Sequence, residues 1–213
     1  MIKTLIAIPC FDMVHTDFME SFIKLQKPEG TSFTIVKDTL INEARNIIAA
    51  NAIKGGFDRV MWFDSDMKFA PDTLIKLSAQ MDKGYDYISG LYFTRRPPIK
   101  PVLFKGLWWD KKDGKLDSGA EHYFDYPDGK LIECAGTGFG CVLTSVDLLN
   151  LVGKRFGSPF APLDSMGEDL SFCWRVIQCG IKMFCDTSVK CGHVGMYEYN
   201  EPAYAIMGAK RDE

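Results

Sequence analysis

Short apolar segments alternate with helix-patterned segments through the first ninety residues, and this alternation limits the possible folds more than any other feature. The apolar segments have the length of buried strands. The segments between them carry apolar residues at helical spacing, with Gly55-Gly56 ending one and Pro71 opening another. The predicted elements are residues 3–8, 12–26, 31–36, 39–54, 59–63 and 71–81. This β-α-β-α-β-α order predicts an α/β fold with a mostly parallel central sheet flanked by helices.

The second part of the chain has a different pattern. The stretch 92–135 is rich in aromatic residues, prolines and Asp-Gly pairs, which predicts extended segments and hairpins. The predicted elements after it are a strand at 141–143, helices from 146 and over 167–178, and a strand at 181–185. We therefore expect a single domain over residues 1–213, with a smaller mixed or antiparallel portion beside the main sheet.

Charge and composition exclude several classes of protein. With 25 basic and 28 acidic residues the net charge is −3, so nucleic acid is not expected as a partner from bulk charge. No stretch approaches the ~18 apolar residues of a membrane-spanning helix, and no secretory signal is recognisable. The seven cysteines include no Cys-x-x-Cys pair, which predicts free core thiols in a reducing, cytoplasmic protein.

The apolar segment 59–63 runs directly into Asp64-Ser65-Asp66. Residues i and i+2 of an extended chain point the same way, so both carboxylates face one spot if the strand continues. Two anions held that close repel each other unless a cation lies between them. The spacing therefore predicts a hard divalent ion held by Asp64 and Asp66, with phosphate oxygens completing its shell. The alternative is a turn with two solvated aspartates.

A second acidic pair, Glu168-Asp169, stands at the start of a predicted helix. Acids in the first turn stabilise a helix through its dipole, but one of the two would also serve as a general base. His193 lies in a glycine-flanked segment that is predicted to be a loop after a strand. It is either structural or a ligand that completes a carboxylate-bound metal site.

Several other residues have both a structural and a functional interpretation. Arg45 is either a solvated helical arginine or a contact to nucleotide or phosphate. Arg95-Arg96 is either an exposed turn or a diphosphate clamp in a mobile loop. Ligands of parallel sheets bind at the carboxyl ends of the strands, where Pro9, Asp38 and the Asp64–Asp66 pair stand.

In order and spacing these motifs resemble the glycosyltransferases of the GT-A fold, and most of all the family 2-like group. The resemblance covers residues 1–195. Family 2 enzymes commonly carry several acids after the second strand, whereas Lys37-Asp38-Thr39 has one, so the nucleotide base stays open. The motifs are Ile8-Pro9-Cys10, Glu43-Ala44-Arg45-Asn46, Asp64-Ser65-Asp66, Gly90-Leu91-Tyr92-Phe93, Gly136-Thr137-Gly138-Phe139 and Gly167-Glu168-Asp169.

The resemblance implies an enzyme that moves a sugar from a UDP- or GDP-sugar donor to the hydroxyl of a glycan, lipid-linked or other acceptor. It implies Mn²⁺ or Mg²⁺ bound by Asp64, Asp66 and His193. It also implies that Asp169 is the base of an inverting reaction, with Glu168 beside it. The residues expected to contact the donor are Pro9, Asp38, Arg45, Asp64, Ser65, Arg95 and Arg96.

The resemblance also divides the chain. Residues 1–90 would be the nucleotide-binding half, 91–195 the acceptor-side half, and 196–213 a C-terminal tail or helix. Two alternatives stay open. A nucleotidyltransferase usually has a glycine-rich basic loop after the first strand, which Pro9-Cys10-Phe11-Asp12 does not offer. A degenerate GT-A domain that binds a sugar or a partner protein would not need both acidic pairs.

Overall fold

The computed structural model describes residues 1–195 and 198–208 of the 213-residue chain. Residues 196–197 and 209–213, which belong to the predicted tail or helix, lie outside the described part. The strands are β1 (Thr4–Pro9), β2 (Thr31–Val36), β3 (Arg59–Phe63), β4 (Met67–Lys68), β5 (Tyr87–Leu91), β6 (Leu103–Lys112), β7 (Lys115–His122), β8 (Leu131–Cys134), β9 (Gly136–Thr137), β10 (Cys141–Ser145), β11 (Met183–Lys190), β12 (Gly192–Val194) and β13 (Glu198–Tyr199). The helices are α1 (Thr16–Lys24), α2 (Ile41–Lys54), α3 (Thr73–Met81), α4 (Val146–Phe156), α5 (Glu168–Gln178) and α6 (Glu201–Met207).

Seven strands form the central sheet, in the order β2-β1-β3-β10-β5-β11-β8. β1 pairs in parallel with β2 and β3, and β5 pairs in parallel with β11. β10 lies between β3 and β5 and is antiparallel to both, and β8 is antiparallel to β11. Five of the seven strands therefore run in one direction, so the predicted α/β fold with a mostly parallel sheet is confirmed.

Two small sheets complete the fold. β6 and β7 form an antiparallel hairpin that also pairs with β9. The hairpin turns at Asp113-Gly114, where both residues have positive φ (50° and 74°), as a tight two-residue turn requires. β12 pairs with β4 and β13, so His193 lies in a short strand and the prediction of a loop was wrong at this position. These sheets form the predicted antiparallel portion.

Three helices begin later than their hydrophobic patterns predict. α1 begins at Thr16 because the ring nitrogen Nδ1 of His15 accepts a hydrogen bond from the N–H of Asp17 (3.2 Å) and caps the helix. α2 begins at Ile41, because Asp38 has a φ of 60° and the next residues stay outside the helical region. α3 begins at Thr73, after a turn closed by its N–H on the carbonyl of Ala70 (3.1 Å).

The core lies on both faces of the central sheet, as expected for strands with continuous apolar runs. On one face Trp62 packs against Phe139 and Phe160, with ring centroids 5.7 and 5.2 Å away. The indole N–H donates to the hydroxyl of Thr144 (3.0 Å), so this buried polar group is satisfied. On the other face Phe63 stacks on Phe69 at 3.9 Å. The strand that leads to the acidic motif is therefore rigidly held.

The cysteines are free thiols within the described residues. Six are buried and Cys179 is partly exposed, which agrees with the prediction of core residues. None of the helices in the described part of the chain combines the length and the apolar character that crossing a bilayer requires.

A glycine beside the core gives a first test of the packing. A Cβ on Gly138 would lie 2.0 Å from the hydroxyl oxygen of Tyr92, which itself accepts the N–H of Gly140 (3.1 Å). We therefore expect Gly138→Ala to lower the free energy of unfolding by about 2 kcal/mol, measured by urea denaturation. Gly153→Ala is the control. Its Cβ meets only Pro159 at 3.6 Å, in an ordinary helix, and should be neutral or stabilising. Equal stability of the two variants would contradict the packing at Tyr92.

Candidate active site

A cleft of about 590 Å³ opens at the carboxyl ends of β3 and β5, a volume suited to a ligand of drug or nucleotide size. The loop after β5, the turn after β3, the start of α5 and strand β12 supply its walls. Seven of the residues expected from the sequence line this cleft together: Arg45, Asp64, Arg95, Arg96, Glu168, Asp169 and His193.

Arg45 lies at the base of the cleft and connects two of its walls. Its guanidinium donates to Asp64 Oδ1 (2.8 Å) at the end of β3 and to the carboxylate of Glu168 at the start of α5. The Arg45 side chain is only 3% exposed and lies 5.2 Å from the centroid of the Phe139 ring. Burial alone would lower the pKa of Arg45, but Asp64 and Glu168 raise it. The guanidinium of Arg45 therefore donates hydrogen bonds to two carboxylates from different walls of the cleft.

The chain leaves the strand conformation before the acidic motif ends. β3 stops at Phe63, and the N–H of Met67 donates to the carbonyl of Asp64 (3.1 Å), which closes a turn. Asp64 and Asp66 were expected to point the same way only if the strand continued, and it does not continue past Phe63. The two carboxylates have separate partners: Asp64 binds Arg45, whereas Asp66 binds Arg95 and faces His193.

Asp66 and His193 form a pair with an unusual hydrogen-bond pattern. His193 Nδ1 lies 3.0 Å from the carbonyl oxygen of Phe93, which can only accept, so Nδ1 carries a proton. The other ring nitrogen, Nε2, faces Asp66 Oδ1 at 3.5 Å. This Oδ1 is buried and has no hydrogen-bond partner within the described residues. Although burial raises the pKa of Asp66, His193 and Arg95 lower it below its ordinary value.

These two atoms fit a divalent cation. An orphaned carboxylate oxygen and a ring nitrogen whose other N–H is fixed by a carbonyl are the arrangement that metal ligands adopt. No group of three or more His, Cys, Asp or Glu side chains in the described part of the chain is arranged to hold a metal. Asp66 and His193 would therefore supply two protein ligands, and ligand phosphate oxygens would have to supply others, as is common for Mg²⁺.

Asp169 lies in the first turn of α5 and lines the cleft. Its Oδ1 accepts the N–H of Leu170 (2.7 Å). Burial raises the pKa of Asp169 to about 6, although Arg45 opposes the increase, and Glu168 adds to it. A carboxyl group with a pKa near neutrality is protonated or deprotonated by small changes, which suits a general base. Helix stabilisation by the dipole does not require such a partly buried acid.

Three residues expected at the donor lie elsewhere. Pro9 is buried at the end of β1, and Ser65 uses its carbonyl to accept the N–H of His15 (2.9 Å). Asp38 is exposed, with a left-handed φ of 60° and its carboxylate 3.5 Å from Lys37 Nζ. None of the three is among the residues that line the cleft. Their predicted contacts to the donor remain predictions.

Tyr92 and Lys100 both line the cleft, although no role was predicted for either residue. The Tyr92 ring lies edge-on to that of His193, with centroids 5.6 Å apart, and supports the imidazole. Tyr92 belongs to the motif Gly90-Leu91-Tyr92-Phe93, so the sequence marked this position but did not indicate what its side chain does. Lys100 lies at the end of the loop that carries Arg95 and had no distinguishing pattern around it.

Comparison with known proteins gives the fold. No protein-family model matches the chain, and no curated protein matches it. Among solved structures, A197 from STIV aligns with a TM-score of 0.64 and 18% identity, covering 91% of this chain and 86% of that one. GalNAc-T7, solved with UDP, GalNAc and Mn²⁺, aligns with a TM-score of 0.61 and 12% identity, covering 91% of this chain and 44% of that one. At these identities the similarity shows the GT-A fold alone, which confirms the fold expected from the sequence.

Proposed function

We propose that this protein is a metal-dependent glycosyltransferase that moves a sugar from a nucleotide-sugar donor to an acceptor hydroxyl. The observation that carries the proposal is that His193 and Asp169 line one cleft. Asp66 is not itself among the lining residues, but its Oδ1 lies 3.5 Å from His193 Nε2, and burial raises the pKa of Asp169 to about 6. The presence of UDP, GalNAc and Mn²⁺ in the structurally similar GalNAc-T7 supports this choice of donor and metal. The donor is a UDP- or GDP-sugar, and the acceptor is a glycan, lipid-linked or other hydroxyl compound.

The residues of the cleft divide the chemistry between them. Asp66 and His193 would hold Mn²⁺ or Mg²⁺, which when bound neutralises the charge of the leaving diphosphate. Asp169 takes the proton of the acceptor hydroxyl as its oxygen forms a bond to the anomeric carbon. The bond between that carbon and the diphosphate breaks, and the diphosphate leaves with the electron pair. Attack from the opposite side inverts the anomeric centre.

The positive side chains of the cleft support binding of an anionic donor. Arg96 and Lys100 line it without a side-chain partner within the described residues, so their charges are available to phosphate oxygens. Arg45 pairs with both Asp64 and Glu168, and so holds the start of α5 against the end of β3. This places Asp169 at a fixed position in the wall.

The decisive experiment is hydrolysis of UDP- and GDP-sugars with Mn²⁺, with Mg²⁺ and with EDTA. We expect release of free sugar and nucleoside diphosphate with metal, and none with chelator. Release of pyrophosphate from a nucleoside triphosphate and a sugar phosphate would instead identify a nucleotidyltransferase. Binding of nucleotide sugars with no turnover under any condition would identify a degenerate binding domain.

Asp66 gives the matching mutational test. We expect Asp66→Asn to weaken Mn²⁺ binding by at least roughly tenfold, because the amide removes a charged oxygen ligand. Isothermal titration calorimetry with MnCl₂ measures the change. Asp147→Asn is the control, since Asp147 is an exposed acid of α4 that does not line the cleft. Unchanged Mn²⁺ binding in Asp66→Asn would remove this residue from the metal site and the proposed mechanism with it.

A further inference from the structure

The side chain of Arg95 contacts the same carboxylate that is proposed to bind the metal. Its Nη1 donates to Asp66 Oδ2, while His193 Nε2 faces the other oxygen, Oδ1, at 3.5 Å. The Arg95 side chain is 49% exposed, whereas that of Asp66 is 23% exposed. A half-exposed cation of the protein itself therefore neutralises the carboxylate of Asp66.

Arg95 stands in the connection between β5 and β6, and its position suits a movable group. The connection is closed at its base by Thr94, whose N–H donates to the carbonyl of Lys100 (2.9 Å) and whose hydroxyl accepts the N–H of Lys100 (3.0 Å). Residues 95–98 between these ends are exposed. Asp66 is the only side-chain partner of Arg95 within the described residues. Within the part of the chain that the structure describes, the guanidinium can leave Asp66 without breaking another side-chain hydrogen bond or ion pair.

A divalent cation between Oδ1 and His193 Nε2 would lie close to this guanidinium. Like charges at such a distance repel each other, and Arg95 also holds the oxygen that would allow Asp66 to bind a metal through both oxygens. An anion in the cleft would give Arg95 an alternative partner to Asp66. A diphosphate offers the guanidinium a pair of charged oxygens, the geometry that arginine binds best. Arg96 and Lys100 attract the same anion to the same place.

We propose that Arg95 couples cation binding to diphosphate binding, so that Asp66 and His193 admit a divalent ion together with a diphosphate and bind the free ion weakly. Before a diphosphate binds, Arg95 is the counter-ion of Asp66. When a diphosphate enters, the guanidinium transfers to its oxygens and frees Asp66 Oδ2. The inference rests on the proposed function, because it takes Asp66 and His193 as the metal ligands.

The test measures Mn²⁺ affinity with and without saturating inorganic pyrophosphate, which makes the result independent of the nucleotide base. Electron paramagnetic resonance of free Mn²⁺ gives the dissociation constants, calibrated in buffer with the same pyrophosphate. In the wild-type protein we expect pyrophosphate to tighten Mn²⁺ binding by about tenfold or more, within the usual range of such coupling. In Arg95→Gln we expect Mn²⁺ alone to bind roughly fivefold to tenfold more tightly, and the effect of pyrophosphate to shrink accordingly.

Arg96→Gln is the matched control. It removes the same charge one residue away without touching Asp66, so it measures the general electrostatic effect on the cleft. Equal Mn²⁺ affinities of Arg95→Gln and Arg96→Gln would overturn the inference, and so would equal affinities of Arg95→Gln and the wild type. The melting temperature of each variant without ligand shows that the fold is retained.

Asp66→Asn separates failure of this inference from failure of the proposed function. If Mn²⁺ binding is lost in Asp66→Asn but Arg95→Gln behaves as the wild type, the coupling is wrong and the metal site stands. If Asp66→Asn binds Mn²⁺ as the wild type does, the metal site is wrong and both proposals fail. Tighter binding in Arg95→Gln that disappears in the double variant with Asp66→Asn supports both.

Discussion

The Asp169→Asn variant is expected to lose sugar transfer by about 10³-fold while it keeps its affinity for the nucleotide sugar. The amide has the size of the carboxyl group but cannot take the proton of the acceptor hydroxyl. Steady-state transfer rates and donor titration measure the two quantities separately. A loss of donor affinity equal to the loss of rate would assign Asp169 to donor binding. The exposed Asp147→Asn again controls for a change of charge.

The pH dependence of transfer gives a second readout of Asp169. Its pKa is raised to about 6, first by burial, and the base must be deprotonated to act. The wild-type rate should therefore be constant above pH 7 and fall about tenfold per pH unit well below 6. This acidic limb should be absent from the residual activity of Asp169→Asn. A limb at the same pH in the variant would mean that another group titrates.

The raised pKa of Asp169 also predicts how the free energy of unfolding depends on pH. A carboxyl group whose pKa is higher in the folded protein than in the unfolded chain binds its proton more tightly when folded. The contribution of the protonated carboxyl group to the free energy of unfolding is therefore lost as the pH rises from 3.8 through about 6. Above that range the ionised Asp169 destabilises the fold. A shift of about two units corresponds to at most ~3 kcal/mol. At pH 8, Asp169→Asn should thus be more stable than the wild type by up to about that amount. At pH 4 the two proteins should be equally stable, and urea denaturation at both pH values measures the difference.

Arg45→Met is expected to lower the free energy of unfolding by about 3 kcal/mol. The methionine leaves Asp64 and Glu168 without the cation that both bind, at the bottom of the cleft. Breaking a buried ion pair costs about 3–5 kcal/mol, and the partial exposure of the two acids places this case at the lower end. Urea denaturation at pH 7.5 measures the loss.

A compensated variant makes this prediction specific. Replacing all three groups, in Arg45→Met with Asp64→Asn and Glu168→Gln, removes the charges together and should recover most of the stability. A triple variant as unstable as Arg45→Met would show that packing of the arginine against Phe139, and not its charge, carries the effect. A single variant within 1 kcal/mol of the wild type, by the same denaturation measurement, would contradict the ion-pair interpretation.

The order of elements in the first half of the fold follows from local patterns. Strand and helix periods are properties of neighbouring residues, so β1, β2 and β3 and the helices between them were predictable apart from their ends. The direction of β10 was not, because it depends on which sheet edges remain after distant strands have paired. The ends of α1 and α2 depended on a capping histidine and on the left-handed Asp38, which hydrophobic spacing does not report.

The candidate site was predictable as a set of residues and not as a set of contacts. Acidic motifs at the end of a strand and at the start of a helix place Asp64, Asp66 and Asp169 at one edge of a parallel sheet. The position of Arg45 on a helix predicts which side it faces, but no sequence rule pairs it with two carboxylates from distant elements. The turn after Phe63 likewise depends on the carbonyl of Gly140, which accepts the N–H of Asp64 (3.2 Å).

The place of β10 also has a consequence for synthesis of the chain. β3 and β5 are never neighbours, because β10 lies between them and hydrogen-bonds to both. When the first ninety residues have left the ribosome, β3 and β5 have been made but β10, which lies between them in the sheet, has not. The gap between β3 and β5 closes only after residues 141–145 have emerged. The edges of β3 and β5 that face each other therefore stay unpaired until β10 arrives, and a chaperone would be expected to bind there.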